Sequence, residues 1–264
     1  MIKRFHEAPK SIFHEVQKVT DGDYALVNLF EEDPEYYQMF KDAVNAGREV
    51  ILDNGVFELG AAWNADEFAK WVRRLQPTWY IVPDVLEDAT GTVASFFNFI
   101  EHYPQLPGKR IGVAQGANYE DMVNCYKAIE PYCDMVALSF DLSWFQDEKS
   151  SQSPYFQAML GRQLLLDLLV DEGVINTQKP HHLLGVMLPQ EMRYYTGPRF
   201  SWIYSVDTSN PVVHGLKGIR YTPMGLSSKE SQKLYTLINT TVTDDQRKRI
   251  LSNIEAFRRF CNGE

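Results

Sequence analysis

Short apolar runs separated by amphipathic stretches recur along the whole chain, and that alternation leaves few folds open. The runs are 24–30 (YALVNLF), 48–53 (REVILD), 78–83 (TWYIVP), 110–115 (RIGVAQ), 134–139 (DMVALS), 182–187 (HLLGVM), 201–206 (SWIYSV) and, with a weaker pattern, 216–221 (LKGIRY). Each has the length and the β-branched and aromatic content of a buried strand. Between them, residues 65–75 place Phe68, Trp71, Val72 and Leu75 at helical spacing. Residues 118–129 open on Asn118, an N-cap residue, with Glu120 and Asp121 in the first turn, where the helix dipole favours negative charge. Helical patterns over roughly 227–240 and 243–261 close the chain, the second opened by Thr243-Asp244-Asp245. Eight strands with intervening helices in 264 residues predict a (β/α)₈ TIM barrel with C-terminal helices, read as one domain over 1–264. A doubly wound open sheet also fits βα alternation. The barrel is favoured by the strand count and by polar residues recurring where strands end, because a barrel brings those ends to one mouth. The longest polar interruption, 141–153 (DLSWFQDEKSSQS), is a candidate lid carrying Trp144 and Phe145.

Composition narrows the function classes. A net charge of −9 argues against wrapping long nucleic acid non-specifically, while leaving room for a local basic patch. The three cysteines, Cys125, Cys133 and Cys261, form no CxxC pair, so neither a disulfide framework nor a zinc ribbon is expected. No window reaches the roughly 18 apolar residues of a membrane span. The opening MIKRFHEAPK lacks a signal-peptide core, so the expectation is a cytoplasmic protein without membrane contact. His181 and His182 are adjacent on a strand and face opposite ways, which makes them poor partners for a metal; no metal site is expected.

Asp53, Asp84, Gln115, Ser139 and Asp207 follow apolar runs, Gly116 follows Gln115, and Gly185 sits in HHLLGV. An aspartate after a strand either caps the next helix or serves chemistry. Both uses stay open for Asp84; Asp53 precedes Asn54-Gly55, a turn rather than a helix start, which favours chemistry. Gln115 is either a loop amide or a ligand-reading one, and Phe57 either a core ring or a ring over a ligand. Arg193, Arg199, Lys217 and Arg220 follow the late strands as solvated charges or phosphate contacts, and His214 caps or packs.

In this order, DNGVFELG, PDVLED, GVAQG, HLLGV and SVDTSNP, from about residue 50 to 212, resemble the strand-end motifs of the tRNA-guanine transglycosylase superfamily. That superfamily includes phage- and bacteria-encoded relatives that insert deazaguanine bases into DNA. The resemblance implies that Asp207 is the nucleophile and Asp53 the acid/base group. Phe57 would stack on the base, with Leu184 covering its second face and the Leu184–Gly185 backbone bonding to it. Asp84, with Gln115-Gly116, would read the base edge. Ser139 stands where the family often has glycine, and Glu58 where it has glutamine. The family's tRNA enzymes carry a Cys-x-Cys-x-x-Cys zinc site with a later histidine. Nothing here matches it, so no zinc subdomain is expected, and DNA is favoured over tRNA as the partner of a 7-deazaguanine base. Exchange at C1′ passes through oxocarbenium-like charge, which a carboxylate can stabilise or capture as an ester, as in retaining glycosidases; no cofactor is called for. Two other readings share the residues: a guanine-releasing nucleosidase or DNA glycosidase, and a non-catalytic base- or protein-binding barrel.

Overall fold

A computed structural model describes residues 1–139, 152–230 and 232–264. The expected lid lies outside the described residues as far as 151, Trp144 and Phe145 included. The eight strands, β1 (Lys3–Phe5), β2 (Gly22–Leu26), β3 (Glu49–Asp53), β4 (Trp79–Ile81), β5 (Lys109–Ala114), β6 (Met135–Leu138), β7 (His181–Leu183) and β8 (Ile203–Asp207), follow one another in order as a closed parallel barrel. The expected (β/α)₈ fold is therefore the observed one. One strand was misplaced. The run 216–221 is not extended: Leu216 ends a helix, and Gly218 turns the chain at a φ of +81°. The eighth strand is β1, whose three residues include two cations. Arg4 is buried there because its Nε donates to Asp21 Oδ2 at 2.6 Å, an ion pair that alternation of apolar residues does not announce.

By its contacts the chain divides into two compact units. The first, Gly22–Leu138, carries β2 to β6 with α1 (Pro34–Asn45), α2 (Val56–Leu59), α3 (Ala65–Leu75), α4 (Ala89–His102) and α5 (Tyr119–Ile129). Helix α3 spans the expected residues: Asn64 caps it by accepting the Asp66 and Glu67 N–H groups, and Phe68, Ala69, Val72 and Leu75 form its buried face. Fully burying side chains such as Phe68 and Leu75 stabilises the fold by about 1.5–3 kcal/mol each. Trp71 leaves that face to pack edge-on against Phe30, with ring centroids 5.5 Å apart. Asn118 caps α5 through the Asp121 N–H, as its position predicts.

The second unit, Met1–Asp21 with Ser139–Glu264, carries β1, β7 and β8 with α6 (Pro154–Asp171), α7 (Asn210–Leu216), α8 (Asp244–Asn262) and a short helix over Phe13–Gln17. Strand β8 pairs with β1, setting Phe5 opposite Asp207. It pairs on its other side with β7, where the register shifts between His181 and His182. Helix α8 opens on a reciprocal capping box between Thr243 and Gln246. It crosses α7 so closely that a Cβ on Gly215 would stand 2.8 Å from the Ile250 backbone. The helix expected over 227–240 is a single 3₁₀ turn, Leu234–Leu237, among the described residues. Serine, threonine and asparagine crowd that segment and compete for backbone groups outside helices. No helix among the described residues is long and apolar enough to cross a membrane.

Candidate functional site

In barrels of this class the chemistry lies at strand C-terminal ends, and each unit builds a buried polar set there. In the first unit β3 delivers Asp53 at its last position. Gly55 then turns at a φ of +79°, a conformation glycine adopts without strain, and opens α2. That turn uses Asp53: its Oδ2 accepts the Gly55 N–H at 2.9 Å, while Oδ1 accepts the Tyr24 hydroxyl at 3.2 Å. Helix α2 carries Phe57 outward, 44% exposed, so the ring is not part of the core.

Asn54, fully buried, joins two strand ends. Its Oδ1 accepts the Val56 N–H at 2.9 Å, and its Nδ2 donates to Val82 O at 3.1 Å and Asp84 Oδ1 at 2.7 Å. The other Asp84 oxygen accepts Gln115 Nε2 at 2.7 Å, and Gln115 Oε1 accepts the Glu87 N–H at 3.3 Å. Asp84 is thus no helix cap; Asp88 caps α4 through the Gly91 N–H. Gln115, 4% exposed, is no surface amide. Burial pushes the Asp84 carboxyl above its ordinary range, against the pull of the Gln115 and Asn54 donors. Gly116, expected beside Gln115 at the base edge, meets a packing demand instead. A Cβ there would stand 2.5 Å from Met122 N, so the glycine admits the first turn of α5. No cluster of three or more potential metal ligands occurs among the described residues.

In the second unit β8 ends on Asp207, 6% exposed. Its Oδ1 accepts two donors, His182 Nε2 at 2.9 Å and the Gly185 N–H at 3.0 Å. Oδ2 accepts none among the described residues. The turn that follows does not draw on Asp207, because Thr208 Oγ1 accepts the Asn210 N–H at 3.1 Å. His182 is wholly buried, and its Nδ1 lies 2.7 Å from Ser205 Oγ. Behind Gly185 stands Arg162 of α6. Its Nη1 donates to Leu184 O and its Nη2 to Gly185 O, both at 2.9 Å. Its Nε meets Glu191 Oε1 at 2.6 Å, an oxygen that also accepts the Tyr195 hydroxyl at 2.9 Å. Burial works against the Arg162 charge, and Glu191, Tyr195 and Asp207 together more than offset it. Three of the backbone groups expected to reach a base, Leu184 O, Gly185 O and the Gly185 N–H, thus already bond to Arg162 and Asp207, and the Leu184 side chain is half-buried. Lys229 belongs to the same neighbourhood: burial, then Arg162, pulls its ammonium below the usual range while Asp207, Glu191 and Glu7 act against them. Ser139 is buried one residue past β6.

The expected phosphate contacts divide. Arg193 donates from Nη2 to Pro223 O and Glu264 O and lies 4.5 Å over the Phe260 ring, and Arg199 pairs with Asp167 and Asp171. Both therefore hold the fold, whereas Lys217 and Arg220 are exposed. His214 packs, with Nδ1 on Asn210 O at 2.8 Å and its ring edge-on to Tyr221. All three cysteines are buried and none is in a disulfide; burial pushes the Cys125 thiol up to about 11.

Sequence reasoning missed His182, Asn54, Arg162 and Glu191. The available signal was positional: Ser205 and Asp207, two apart on one strand, face the same way, and a histidine on the neighbouring strand can span them.

No protein-family model matches the chain, and no curated protein does. Among solved structures it is similar to an enolase protein from the environmental genome shotgun sequencing of the Sargasso Sea, at 10% identity and a TM-score of 0.47, over 78% of this chain and 54% of that one. The chain spans about half the length of that structure.

Proposed function

We propose that the protein is a pentosyltransferase that exchanges guanine for a 7-deazaguanine in nucleic acid, DNA favoured over tRNA, through an ester between Asp207 and the sugar. The observation that carries this reading is the asymmetry of Asp207. One oxygen is fixed by two donors, and the other accepts no hydrogen bond among the described residues in a side chain that keeps 9% of its exposure. A carboxylate held in that way is oriented to attack.

Asp207 Oδ2 bonds to C1′ as the C1′–N9 bond breaks; the electron pair of that bond leaves with guanine, which takes a proton from Asp53. The deazaguanine then attacks C1′ through N9, gives its N9 proton to Asp53, and returns the C1′–Oδ2 pair to Asp207. Asp84 suits the N1–H and N2–H₂ donors of a guanine-like edge, since each of its oxygens has a second lone pair beyond the Asn54 and Gln115 bonds. The exposed Phe57 ring offers a face for stacking, worth about 1–3 kcal/mol per base. Lys217 and Arg220 are the cations left for backbone phosphates.

The test is mass spectrometry of nucleosides from DNA and RNA incubated with the protein and a 7-deazaguanine. Deazaguanine in the polymer, lost with Asp207→Asn in a folded protein, is the expected result. Guanine release with abasic sites assigns hydrolysis instead, and base binding without turnover assigns the non-catalytic reading.

A further inference from the structure

We infer that His182 is the positioning residue for Asp207, holding the carboxylate by its non-attacking oxygen and staying on that oxygen when it becomes the carbonyl of the ester. The inference rests on the nucleophilic reading of Asp207 and adds to it a proton position and a second role.

Three buried groups form a chain: Ser205 Oγ to His182 Nδ1 at 2.7 Å, and His182 Nε2 to Asp207 Oδ1 at 2.9 Å. The shift in register between His181 and His182 produces it by setting His182 opposite Ser205. Ser205 and Asp207 share a strand face, so one imidazole on β7 reaches both. Phe5 closes another side edge-on, with centroids 6.3 Å apart, and the ring has no exposed surface. An ionised carboxylate only accepts, so Nε2 must carry a proton. In the neutral ring Nδ1 is then the acceptor for the Ser205 O–H, so Asp207 selects the tautomer and Ser205 complements it.

The consequence falls on both halves of the exchange. During attack, His182 and the Gly185 N–H fix the rotamer of Asp207 and leave Oδ2 as the reacting oxygen. Once Oδ2 has bonded to C1′, Oδ1 is the ester carbonyl oxygen and the same two donors remain on it. They draw electron density from the ester, so that Asp207 leaves more readily when the incoming N9 displaces it. Arg162 keeps the second donor in place by holding the carbonyls of Leu184 and Gly185, both at 2.9 Å. A fixed donor pair of this kind needs no reorganisation at the moment of reaction.

The experiment combines kinetics with ¹⁵N spectroscopy of histidine-labelled full-length protein, using His182→Gln to assign the ring. Wild type is expected to show the Nε2–H tautomer, and Ser205→Ala to perturb it. His182→Phe, which keeps a flat ring without a donor, is expected to lower kcat for exchange about 100-fold, with KM little changed. His182→Gln, whose amide N–H reaches toward the Nε2 position, is expected to recover about tenfold of that loss. A purely structural histidine would instead lower thermal stability in both variants, with no kcat recovery in the glutamine one. An Nδ1–H ring with bare Nε2, or wild-type kcat in His182→Phe, overturns the inference. Failure of the functional reading looks different: no variant exchanges bases, wild type included, while the spectrum still reports Nε2–H. The proton position then stands and its catalytic consequence falls.

Discussion

Asp53 and Asp207 both end a strand, both are buried, and their oxygens are used in opposite ways. In the first unit the Asn54-Gly55 turn feeds the Gly55 N–H back to Asp53, and Tyr24 takes the other oxygen. In the second, Thr208 supplies the turn acceptor for Asn210, so Asp207 is released from that duty and meets donors from β7 and the residues after it on one oxygen only. The same contrast runs through the neighbours. Asp84 spreads its two oxygens over two amides, while Asp207 gathers two donors onto one oxygen. A strand end therefore decides where a carboxylate stands, and the next two residues decide how its two oxygens are shared between the turn and the neighbouring strand.

The largest effect should separate the two aspartates. Asp207→Asn is expected to lower kcat for exchange by roughly 10⁴–10⁶, the scale of losing a nucleophile. Asp53→Asn should cost about 10²–10⁴, the scale of a general acid or base. Single-turnover exchange with acid-quenched capture of a protein–sugar adduct checks both. An adduct that persists in Asp207→Asn, or a larger loss in Asp53→Asn, reverses the assignment. Next comes the support behind Gly185. Arg162→Met strands a buried Glu191 and two carbonyls, and should destabilise the protein by about 3–5 kcal/mol in urea unfolding. Glu191 already has one oxygen, Oε2, without a partner among the described residues. The double variant Arg162→Met/Glu191→Leu should regain much of the loss, because no buried charge then lacks a counterpart.

A pH titration distinguishes the units by a third route. His6, in the second unit, donates from Nδ1 to Thr208 O at 2.8 Å, and its Nε2 has no partner among the described residues. Burial lowers its pKa from 6.5 to about 4 despite the Thr208 bond, with Arg4 adding to the fall and Asp207 and Asp21 opposing it. Between those values the unfolded chain binds the proton and the folded one does not, so stability rises with pH across the window and is lost as pH falls through it. The lost contribution is about 3 kcal/mol when the window is crossed completely. Urea unfolding at pH 7, 5.5 and 4 should show that slope in wild type and a shallower one in His6→Phe; equal slopes would place the acid sensitivity elsewhere.

How much of this could be read in advance depends on range. The boundaries of α3 follow from local periodicity and a local cap, and Ala65–Leu75 was legible residue for residue. The carboxylates at 53, 84 and 207 were legible as positions because each follows an apolar run. Strand β1 was not: its three residues are extended through pairing with β8, some 200 positions away, and through the Arg4–Asp21 bond. His182 depends on a register shift that no local pattern encodes. Arg162 sits in a leucine-rich helical segment, where it reads as an ordinary helix residue until its partners beyond β7 are known. Asn54-Gly55 reads as a turn rather than a helix start, whereas the φ-positive Gly55 caps the short helix Val56–Leu59; the bond from Asn54 to Asp84 needs the spatial neighbour.

The smallest effect probes whether the Asn54 and Gln115 amides of the first unit need the Asp84 charge. Asp84→Asn keeps the shape and removes the charge. One bridging amide can still donate to the remaining oxygen, while the other meets an N–H₂ group. Gln115 can resolve that clash by turning its amide over, at the expense of the 3.3 Å bond from the Glu87 N–H, the longest in the set. Removing a buried charge works in the opposite direction, since burial already raises the Asp84 pKa. A raised folded-state value means that this group's stabilising contribution is full below its unfolded pKa and declines as pH rises through the folded one. The variant should lose that slope, and at neutral pH the two terms should leave a net destabilisation of only about 1 kcal/mol. Unfolding free energies at pH 4 and pH 7 measure both quantities. A loss above about 3 kcal/mol would mean that the Asp84 charge is needed to hold the two amides in place.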